Sequence, residues 1–323
     1  MKVFIAGGTG LIGYHSALEF LKRGHDVSSI SLPDIELGDW FPKEIEISYG
    51  NLFNMSKEEL IELFSGQDAL VYALGPDDRA KPPPPAYDFF YKYLVEACGR
   101  IVSAAKTAGV KKCVVLNSYF AYFDRVHPEW GLADHHPYIK CRVEQAKRVM
   151  AEGGGKMDVM VLELPYIFGS MPGRIPLWKD ILVNMLIKNI LVFYPRGGSS
   201  MISVKHVAEA VAGATEKGRN GKRYQIGDVN YSWRQMLKLM MDTLGKHKKI
   251  LSPPCYLTAL KGKQLRHKEQ RHGIESGLNL SYIFEDILCR EFYFDPSESS
   301  NELEYNRGGI DAAIEETVLA CIK

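Results

Sequence analysis

The sequence predicts an α/β protein, with a doubly wound parallel sheet and a smaller, mostly helical C-terminal lobe. Short apolar runs rich in β-branched residues alternate with helical patterns through the first half of the chain. A glycine-rich turn follows the first apolar run. The chain has 323 residues, 46% of them hydrophobic, which suffices for one large or two modest domains. Strands separated by helices form parallel sheets, whose carboxyl ends meet at one edge.

The predicted elements alternate regularly as far as residue 164. Strands are predicted at 3–6, 27–31, 45–48, 69–74, 112–116 and 159–164. Helices are predicted between the glycine turn and Gly24, and then at 57–64, 87–108 and 138–151. Past Pro165 the pattern loosens into helices at 175–187 and 206–217, strands at 201–204 and 223–226, and irregular helical sequence from 232. We therefore assign residues 1–165 and 198–228 to the sheet domain, and 166–197 and 229–323 to the lobe.

Gly7, Gly10 and Gly13 lie between the first strand and the first helix. In such a turn one glycine permits the tight bend, one lets a pyrophosphate approach the backbone, and one lets helix and strand pack closely. The free N–H groups at the start of the helix would face the phosphates. The spacing therefore predicts a dinucleotide site in a Rossmann-type fold, with a purely structural turn as the alternative.

The end of the second strand bears on the choice of dinucleotide. A carboxylate there would hold the ribose 2′-hydroxyl of NAD, and a cation would suit NADP. The residues at this point are Ser31 and Leu32, with Asp34 nearby and no arginine in place of the acid. Both NAD and NADP stay open, and the missing carboxylate leans towards NADP.

Charge and hydropathy limit the classes of partner. Lys and Arg number 40 against 39 Asp and Glu, so the formal charge is +1 and no nucleic-acid partner is expected. No apolar run approaches the ~18 residues that a membrane span requires, and no signal peptide is visible. We expect a cytoplasmic protein with a small-molecule substrate and no membrane partner.

The cysteines and histidines do not form a recognisable metal pattern. The six cysteines are scattered without C-x-x-C spacing, so we expect reduced thiols rather than a disulfide framework or zinc knuckle. His127, His135 and His136 precede a helix, but adjacent histidines cannot easily converge on one ion. We predict no metal site and interpret these histidines as residues of a pocket rim.

The strongest charge cluster is KGKQLRHKEQRH, residues 261–272. Its spacing fits a helix with one solvated basic face. A site for an anionic substrate tail is the alternative.

Six segments in order resemble one family, the extended short-chain dehydrogenase/reductases, also called the NAD-dependent epimerase/dehydratase family. They are GGTGLIG, CVVLNSYFAYF, PYIKCRVEQAK, LELPYIFG, MISVKHVAEAV and NELEYNRGGIDAAIEETV. The resemblance covers nearly the whole chain and implies the fold predicted above, with MISVKHVAEAV as the return into the sheet. It also implies a homodimer formed through the helices that begin near Tyr87 and Tyr138.

The resemblance implies roles for particular residues. Ser118 would hydrogen-bond the substrate oxygen and Tyr138 would act as acid and base. Arg142 stands where the family has lysine, and keeps a cation that could hold the ribose hydroxyls and lower the tyrosine pKa from about 10. Further cofactor contacts are implied at Gly7, Thr9, Gly10, Leu11, Ile12, Gly13, Ser31, Asn51, Leu52, Ala73, Leu74, Gly75, Tyr138, Arg142, Pro165 and Ile167. Substrate contacts are implied at Tyr119, His135 and Tyr166.

Departures from the family pattern bear on function. Arginine is not a neutral replacement for lysine at a shaped site, and Arg142 cannot relay a proton as a neutral amine. Tyr166 stands where many sugar-nucleotide enzymes of the family have asparagine, which favours a less polar substrate. The leading hypothesis is an NAD(P)-dependent oxidoreductase that acts on a small or medium carbonyl or alcohol. The alternatives are a nucleotide-sugar epimerase or dehydratase, and a non-catalytic NAD(P)-binding regulator or RNA-associated protein.

Overall fold

The computed structural model describes residues 1–323. The strands are β1 (Lys2–Ala6), β2 (Asp26–Ser31), β3 (Glu46–Tyr49), β4 (Ala69–Tyr72), β5 (Lys112–Ser118), β6 (Asp158–Leu164), β7 (Tyr166–Phe168), β8 (Val192–Phe193), β9 (Gly198–Ser203), β10 (Arg223–Gln225), β11 (Val229–Ser232), β12 (Ile250–Leu251) and β13 (Glu291–Phe292).

The α-helices are α1 (Leu11–Lys22), α2 (Lys57–Phe64), α3 (Ala86–Phe90), α4 (Ala97–Ala108), α5 (Tyr119–Val126), α6 (Leu132–His135), α7 (Pro137–Met150), α8 (Asn184–Lys188), α9 (Val204–Lys217), α10 (Trp233–Thr243), α11 (Cys255–Arg271), α12 (Ser297–Leu303) and α13 (Ile310–Ile322). Short π-helical segments are Tyr91–Glu96, Lys179–Val183 and Phe284–Leu288, and Pro128–Trp130 is 3₁₀. The Tyr91–Glu96 segment joins α3 to α4 without a break, so the long helix predicted at 87–108 is present.

The central sheet has seven parallel strands in the order β3-β2-β1-β4-β5-β6-β10. The order reverses between β1 and β4, and a crevice opens at such a reversal beside the carboxyl ends of the strands. The predicted doubly wound fold is confirmed. The short α5 after β5 was not predicted.

Two apolar layers cover the faces of the sheet. One is packed by α1 and α9, through side chains such as Phe20 and Val211. The other is packed by α2, α4 and α7, through side chains such as Phe64, Ile101 and Val149. Burial of this apolar surface is the main force that fixes the sheet between its helices.

A second small sheet joins strands from both sides of the predicted division, since β9 lies within residues 198–228 and its partner strands lie in the lobe. β9 pairs with β7, β11 and β13, and not with any strand of the central sheet. The expectation that MISVKHVAEAV returns to the central sheet is wrong, because this segment forms β9 and α9 and β10 makes that return beside β6. Sequence pattern did not distinguish the two sheets, because a short apolar strand looks the same in either. The division at residues 165, 198 and 228 stays a prediction.

The expectation of reduced thiols throughout is wrong at one place. Cys255 and Cys289 form a disulfide, with their Cα atoms 6.2 Å apart. They meet because α11 and the Phe284–Leu288 segment pack together, a contact that residue spacing alone does not reveal. The remaining four cysteines are free and buried. No helix combines the length and the apolar character needed to cross a bilayer.

Candidate active site

The glycine turn has the geometry that its spacing predicts. Gly7 adopts a φ of +99°, and a Cβ there would meet the Ala73 carbonyl oxygen at 2.7 Å. A Cβ on Gly13 would collide with the Gly7 carbonyl oxygen, so Gly13 lets α1 approach the turn. A Cβ on Gly10 would meet only the Gly7 oxygen, at 3.3 Å, so Gly10 borders open space. The three glycines therefore serve the bend, the packing and the access for a ligand.

The start of α1 offers donors without acceptors. Gly10 caps the helix in an extended conformation and supplies no side-chain cap, and the first turn has no acidic residue. The N–H groups of Leu11, Ile12 and Gly13 bind no acceptor in the protein. Free donors and a positive helix dipole fit a pyrophosphate.

The other predicted cofactor positions lie along the same edge of the sheet. Ser31 ends β2, Asn51 and Leu52 follow β3, Ala73 to Gly75 follow β4, and Pro165 and Ile167 follow β6. The side-chain oxygen of Asn51 accepts a hydrogen bond from the Phe53 N–H at 3.0 Å. The structure thus places these residues in a row beside the glycine turn, and their contacts with a cofactor stay predictions.

Tyr138 and Arg142 form a hydrogen-bonded pair on one face of α7. Both are buried, with 5% and 9% exposure. Arg142 Nε donates to Tyr138 Oη at 2.9 Å. Because a guanidinium can only donate, the phenol oxygen is the acceptor and its own O–H stays free to donate elsewhere. The pair therefore presents a phenol proton backed by a fixed positive charge.

Two amides that the sequence analysis missed hold the guanidinium. Arg142 Nη1 donates to Gln145 Oε1 at 2.9 Å, and Asn117 Nδ2 donates to the same oxygen at 3.0 Å. Asn117 Nδ2 also donates to the Arg142 carbonyl oxygen, at 3.0 Å. No carboxylate contacts Arg142, and its Nη2 has no acceptor in the protein. Nη2 is thus the donor that could hold a ribose hydroxyl.

The pKa of Tyr138 differs from the expectation. Burial raises it, the Arg142 guanidinium lowers it, and the Asp78 carboxylate raises it, with a net increase above its ordinary value. The residues of the chain alone do not bring this phenol towards neutrality, because desolvation of the phenolate outweighs the cation. Tyr138 is therefore protonated and ready to donate.

Ser118 and Tyr119 lie where β5 passes into α5. Ser118 Oγ accepts from the Phe120 N–H at 3.3 Å, which leaves its O–H free. Tyr119 Oη lies 2.9 Å from Ser199 Oγ, whose own proton goes to the Ser200 carbonyl oxygen. Tyr119 is therefore the donor in this bond and links the end of β5 to β9 of the second sheet. Its contact with substrate stays a prediction.

Aromatic rings form one wall beside these groups. Tyr166, partly exposed, lies 5.5 Å from the Trp178 ring, 5.3 Å from the Trp233 ring and 6.4 Å from the Tyr119 ring, centroid to centroid. Burial raises the pKa of Tyr166 well above its ordinary value. The wall therefore offers apolar ring surface rather than charge.

Asp78 is a second residue that the sequence analysis missed. It lies in the loop after β4, makes no ion pair, and keeps partial solvent contact. Burial, followed by repulsion from Asp77, raises its pKa to about 6. Its charge also raises the pKa values of Tyr119, Tyr138 and Tyr166. The only signal in the sequence was an acidic pair directly after a strand that ends at the ligand edge.

The histidines before α7 bind an acid of the lobe. His135 Nδ1 lies 2.7 Å from Asp286 Oδ2, and its ring stacks on Tyr282 at 4.1 Å. His136 Nδ1 accepts from the Asn279 N–H at 3.0 Å, which places the proton of the neutral ring on Nε2. These bonds tie α7 to the lobe. A contact between His135 and substrate stays a prediction.

A direct backbone bond reinforces this tie. The Tyr138 N–H donates to the Gly277 carbonyl oxygen at 3.0 Å. A Cβ on Gly277 would meet the Phe90 ring at 2.6 Å and Tyr138 Cβ at 3.0 Å. Only glycine lets the lobe approach the tyrosine this closely.

Comparison with known proteins agrees with this geometry. Residues 7–163 match a family described as NAD(P)H-binding. UDP-glucose 4-epimerase of Klebsiella pneumoniae is 30% identical over 139 residues, which are 39% of this chain and 94% of that protein. Sterol-4-alpha-carboxylate 3-dehydrogenase, decarboxylating, of Mus musculus is 24% identical over 223 residues. That match covers 66% of this chain and 58% of the mouse protein, so the chain spans little more than half the length of this relative.

Solved structures share the whole fold. The crystal structure of gox2253 superposes with a TM-score of 0.78 at 17% identity, covering 99% of this chain and 97% of that one. The Bordetella bronchiseptica enzyme WbmH in complex with NAD+ superposes with a TM-score of 0.71 at 15% identity, covering 100% and 98%. The match to the Klebsiella epimerase, 94% of which this chain covers, makes the chain a member of the extended short-chain dehydrogenase/reductase, or NAD-dependent epimerase/dehydratase, family.

Proposed function

We propose that this protein is an NAD(P)-dependent oxidoreductase that transfers hydride to or from a small or medium carbonyl or alcohol substrate. The observation that carries the proposal is the hydrogen bond from Arg142 to Tyr138, which leaves the phenol proton free. When bound, the nicotinamide supplies the hydride donor or acceptor. The start of α1 would hold its pyrophosphate, and Arg142 Nη2 its ribose.

In the direction of reduction, Tyr138 donates its proton to the substrate oxygen as negative charge develops there. The Ser118 O–H donates to the same oxygen and stabilises that charge. Arg142 stabilises the tyrosinate that remains, since it stays charged throughout and is held by Gln145. In oxidation the same groups act in reverse.

The substrate class follows from the wall beside Tyr166. Ring surface without charge favours an apolar or aromatic body over a sugar nucleotide. For the cofactor, the end of β2 favours NADP, because the carboxylate that holds the ribose 2′-hydroxyl of NAD is missing at Ser31.

A second candidate function is nucleotide-sugar epimerisation or dehydration. The match to the Klebsiella epimerase favours it. Such an enzyme recycles the hydride internally, so it converts a UDP-sugar with no net change in nicotinamide absorbance. Tyr166, in place of the asparagine of many such enzymes, is the residue that weighs against it.

The test joins cofactor titration to a substrate panel. We expect calorimetry to show NADP binding more tightly than NAD, and apolar ketones to oxidise NADPH. Tyr138→Phe should keep cofactor affinity and lose turnover by about 10²-fold or more, the scale of general acid catalysis. Tyr91→Phe, on the exposed side of the Tyr91–Glu96 segment, is the matched control and should keep activity.

Three results would overturn parts of the proposal. Full turnover in Tyr138→Phe would remove the tyrosine from the chemistry. Tight cofactor binding without turnover on any carbonyl or UDP-sugar would favour the non-catalytic regulator. A strong preference for NAD would contradict the argument from Ser31.

A further inference from the structure

The helix α11 has an inverted distribution of side chains. Its small residues Thr258, Ala259 and Gly262 are buried against the lobe. Tyr256, Leu257 and Leu260 point outward, with 67%, 48% and 58% exposure. A helix that only covers a core buries its large apolar side chains, so this outward face lacks a partner within the chain.

The same outward face is positively charged. Lys261, Lys263, Lys268 and Arg271 are exposed, and none of them pairs with a carboxylate. The only acid of the helix, Glu269, is buried and binds Arg266, Lys81 and the Ser276 hydroxyl. The basic segment 261–272 is therefore a solvated helix face, as expected. The exposed apolar side chains at 256, 257 and 260 lie directly before it on the same helix.

A second exposed apolar stretch adjoins the start of this helix. Ile190 and Phe193 are 88% and 62% exposed. Phe193 pairs in register with Leu251, four residues before the first residue of α11. Phe193 therefore lies beside the chain that leads into α11, and both stretches leave apolar side chains exposed on the lobe.

The C-terminal end of α11 is tied to the segment that contacts the tyrosine helix. Glu269 of α11 binds Ser276, and the next residue, Gly277, accepts the hydrogen bond from the Tyr138 N–H. One short segment therefore separates α11 from the tyrosine helix.

We propose that the outward face of α11 docks on a bilayer surface that contains anionic phospholipids. Leucine and tyrosine side chains enter the interfacial region of a bilayer, and lysine and arginine bind the lipid phosphates. A second copy of the chain is a poorer partner, since a two-fold contact would bring two positive faces together. A polyanion such as nucleic acid would leave Leu257 and Leu260 exposed. The expectation of no membrane partner rested on the absence of a spanning run, which a helix lying on the surface does not need.

The test is co-sedimentation of the full chain with vesicles, which requires no substrate and is independent of the proposed reaction. We expect binding to vesicles of phosphatidylcholine with phosphatidylserine, weakened by salt, and little binding to phosphatidylcholine alone. Lys261→Glu with Lys268→Glu should weaken binding by at least roughly 5-fold for each residue. Leu257→Glu with Leu260→Glu should reduce binding at least as strongly. All four positions are exposed, so thermal unfolding should match that of the parent.

The control is Lys111→Glu with Lys147→Glu, the same charge change on exposed positions of the sheet domain. It should keep vesicle binding. Equal loss in this control would overturn the proposal, because the attraction would then come from net charge. Equal binding to neutral vesicles, or no binding to anionic ones at low salt, would also overturn it. The proposal would also be overturned if soluble polyglutamate bound as tightly as anionic vesicles and the leucine substitutions did not weaken that binding. Such a result would indicate an acidic protein as the partner.

Discussion

Replacement of Gln145 by leucine tests how the guanidinium beside Tyr138 is held. Gln145 is fully buried, and its Oε1 accepts from both Arg142 and Asn117. Leucine has a similar volume but no acceptor. The substitution would leave two donors with poorer partners, since Arg142 Nη1 keeps only the Leu116 carbonyl oxygen at 3.4 Å.

The size of the effect follows from these contacts. A buried hydrogen bond to a charged donor contributes about 1.5–3 kcal/mol and a neutral one about 0.5–1.5 kcal/mol. In the opposite direction, Gln145 Nε2 is buried without a partner in the protein. Its removal therefore stabilises the folded state by about 1 kcal/mol. We expect Gln145→Leu to lower the free energy of unfolding by about 2 kcal/mol.

The assay is urea unfolding of the parent, Gln145→Leu and Gln145→Glu under identical conditions. Glutamate keeps an oxygen acceptor for both donors and gains an ion pair, so it should lose much less stability than leucine. In an active preparation, Gln145→Glu should shift the pH profile of turnover upward, because a carboxylate beside Arg142 reduces the positive charge that stabilises tyrosinate. A loss below about 0.5 kcal/mol for leucine, or equal losses for both variants, would refute the reasoning.

Three further predictions rest on single contacts. Burial raises the Asp78 pKa to about 6, so the free energy of unfolding falls as pH rises from about 3.8 to 6 and the carboxyl loses its proton. Asp78→Asn removes this loss and should raise the free energy of unfolding by about 1 kcal/mol above pH 6, with little change below pH 3.8. Thermal unfolding at both pH values measures the difference. Gly10→Ala should fold but bind NADP weakly by calorimetry, because a Cβ there borders the open space of the turn. Gly13→Ala should fail to fold or unfold at a much lower temperature, because a Cβ there collides with the Gly7 backbone. Equal unfolding temperatures for the two variants would refute this. Arg125→Met should cost about 1.5–3 kcal/mol in urea unfolding, because the buried Glu163 would lose both bonds at 2.9 and 3.0 Å from a partly exposed arginine. Parent-like stability would show that Gln225 satisfies Glu163 alone.

The sequence predicted the sheet because its strands are short, apolar and separated by helices of clear period. The positions of Gly7, Ser118 and Tyr138 followed, since strand ends and helix starts fix which residues reach the ligand edge. The second sheet around β9 did not follow, because register and pairing partner leave no mark on a six-residue strand.

The surroundings of the site were beyond sequence reasoning for a physical reason. Gln145 and Asn117 meet only because α7 packs on β5, and nothing in their spacing of 28 residues indicates the contact. The effect of burial on the Tyr138 pKa likewise depends on how closely the lobe covers it. The disulfide between Cys255 and Cys289 depends on a helix-to-helix contact of the same kind.

The bond between the Tyr138 amide and the Gly277 carbonyl has a consequence for motion. A hinge that opened the lobe on this side would have to break a buried backbone bond or carry the tyrosine helix along with it. Across the cleft, Trp178 and Tyr194 keep partial solvent contact, and no bond of this kind joins them to the tyrosine helix. Tyr138 and the Gly277 segment therefore act as one mechanical unit, so the placement of the proton donor is coupled to this side of the lobe.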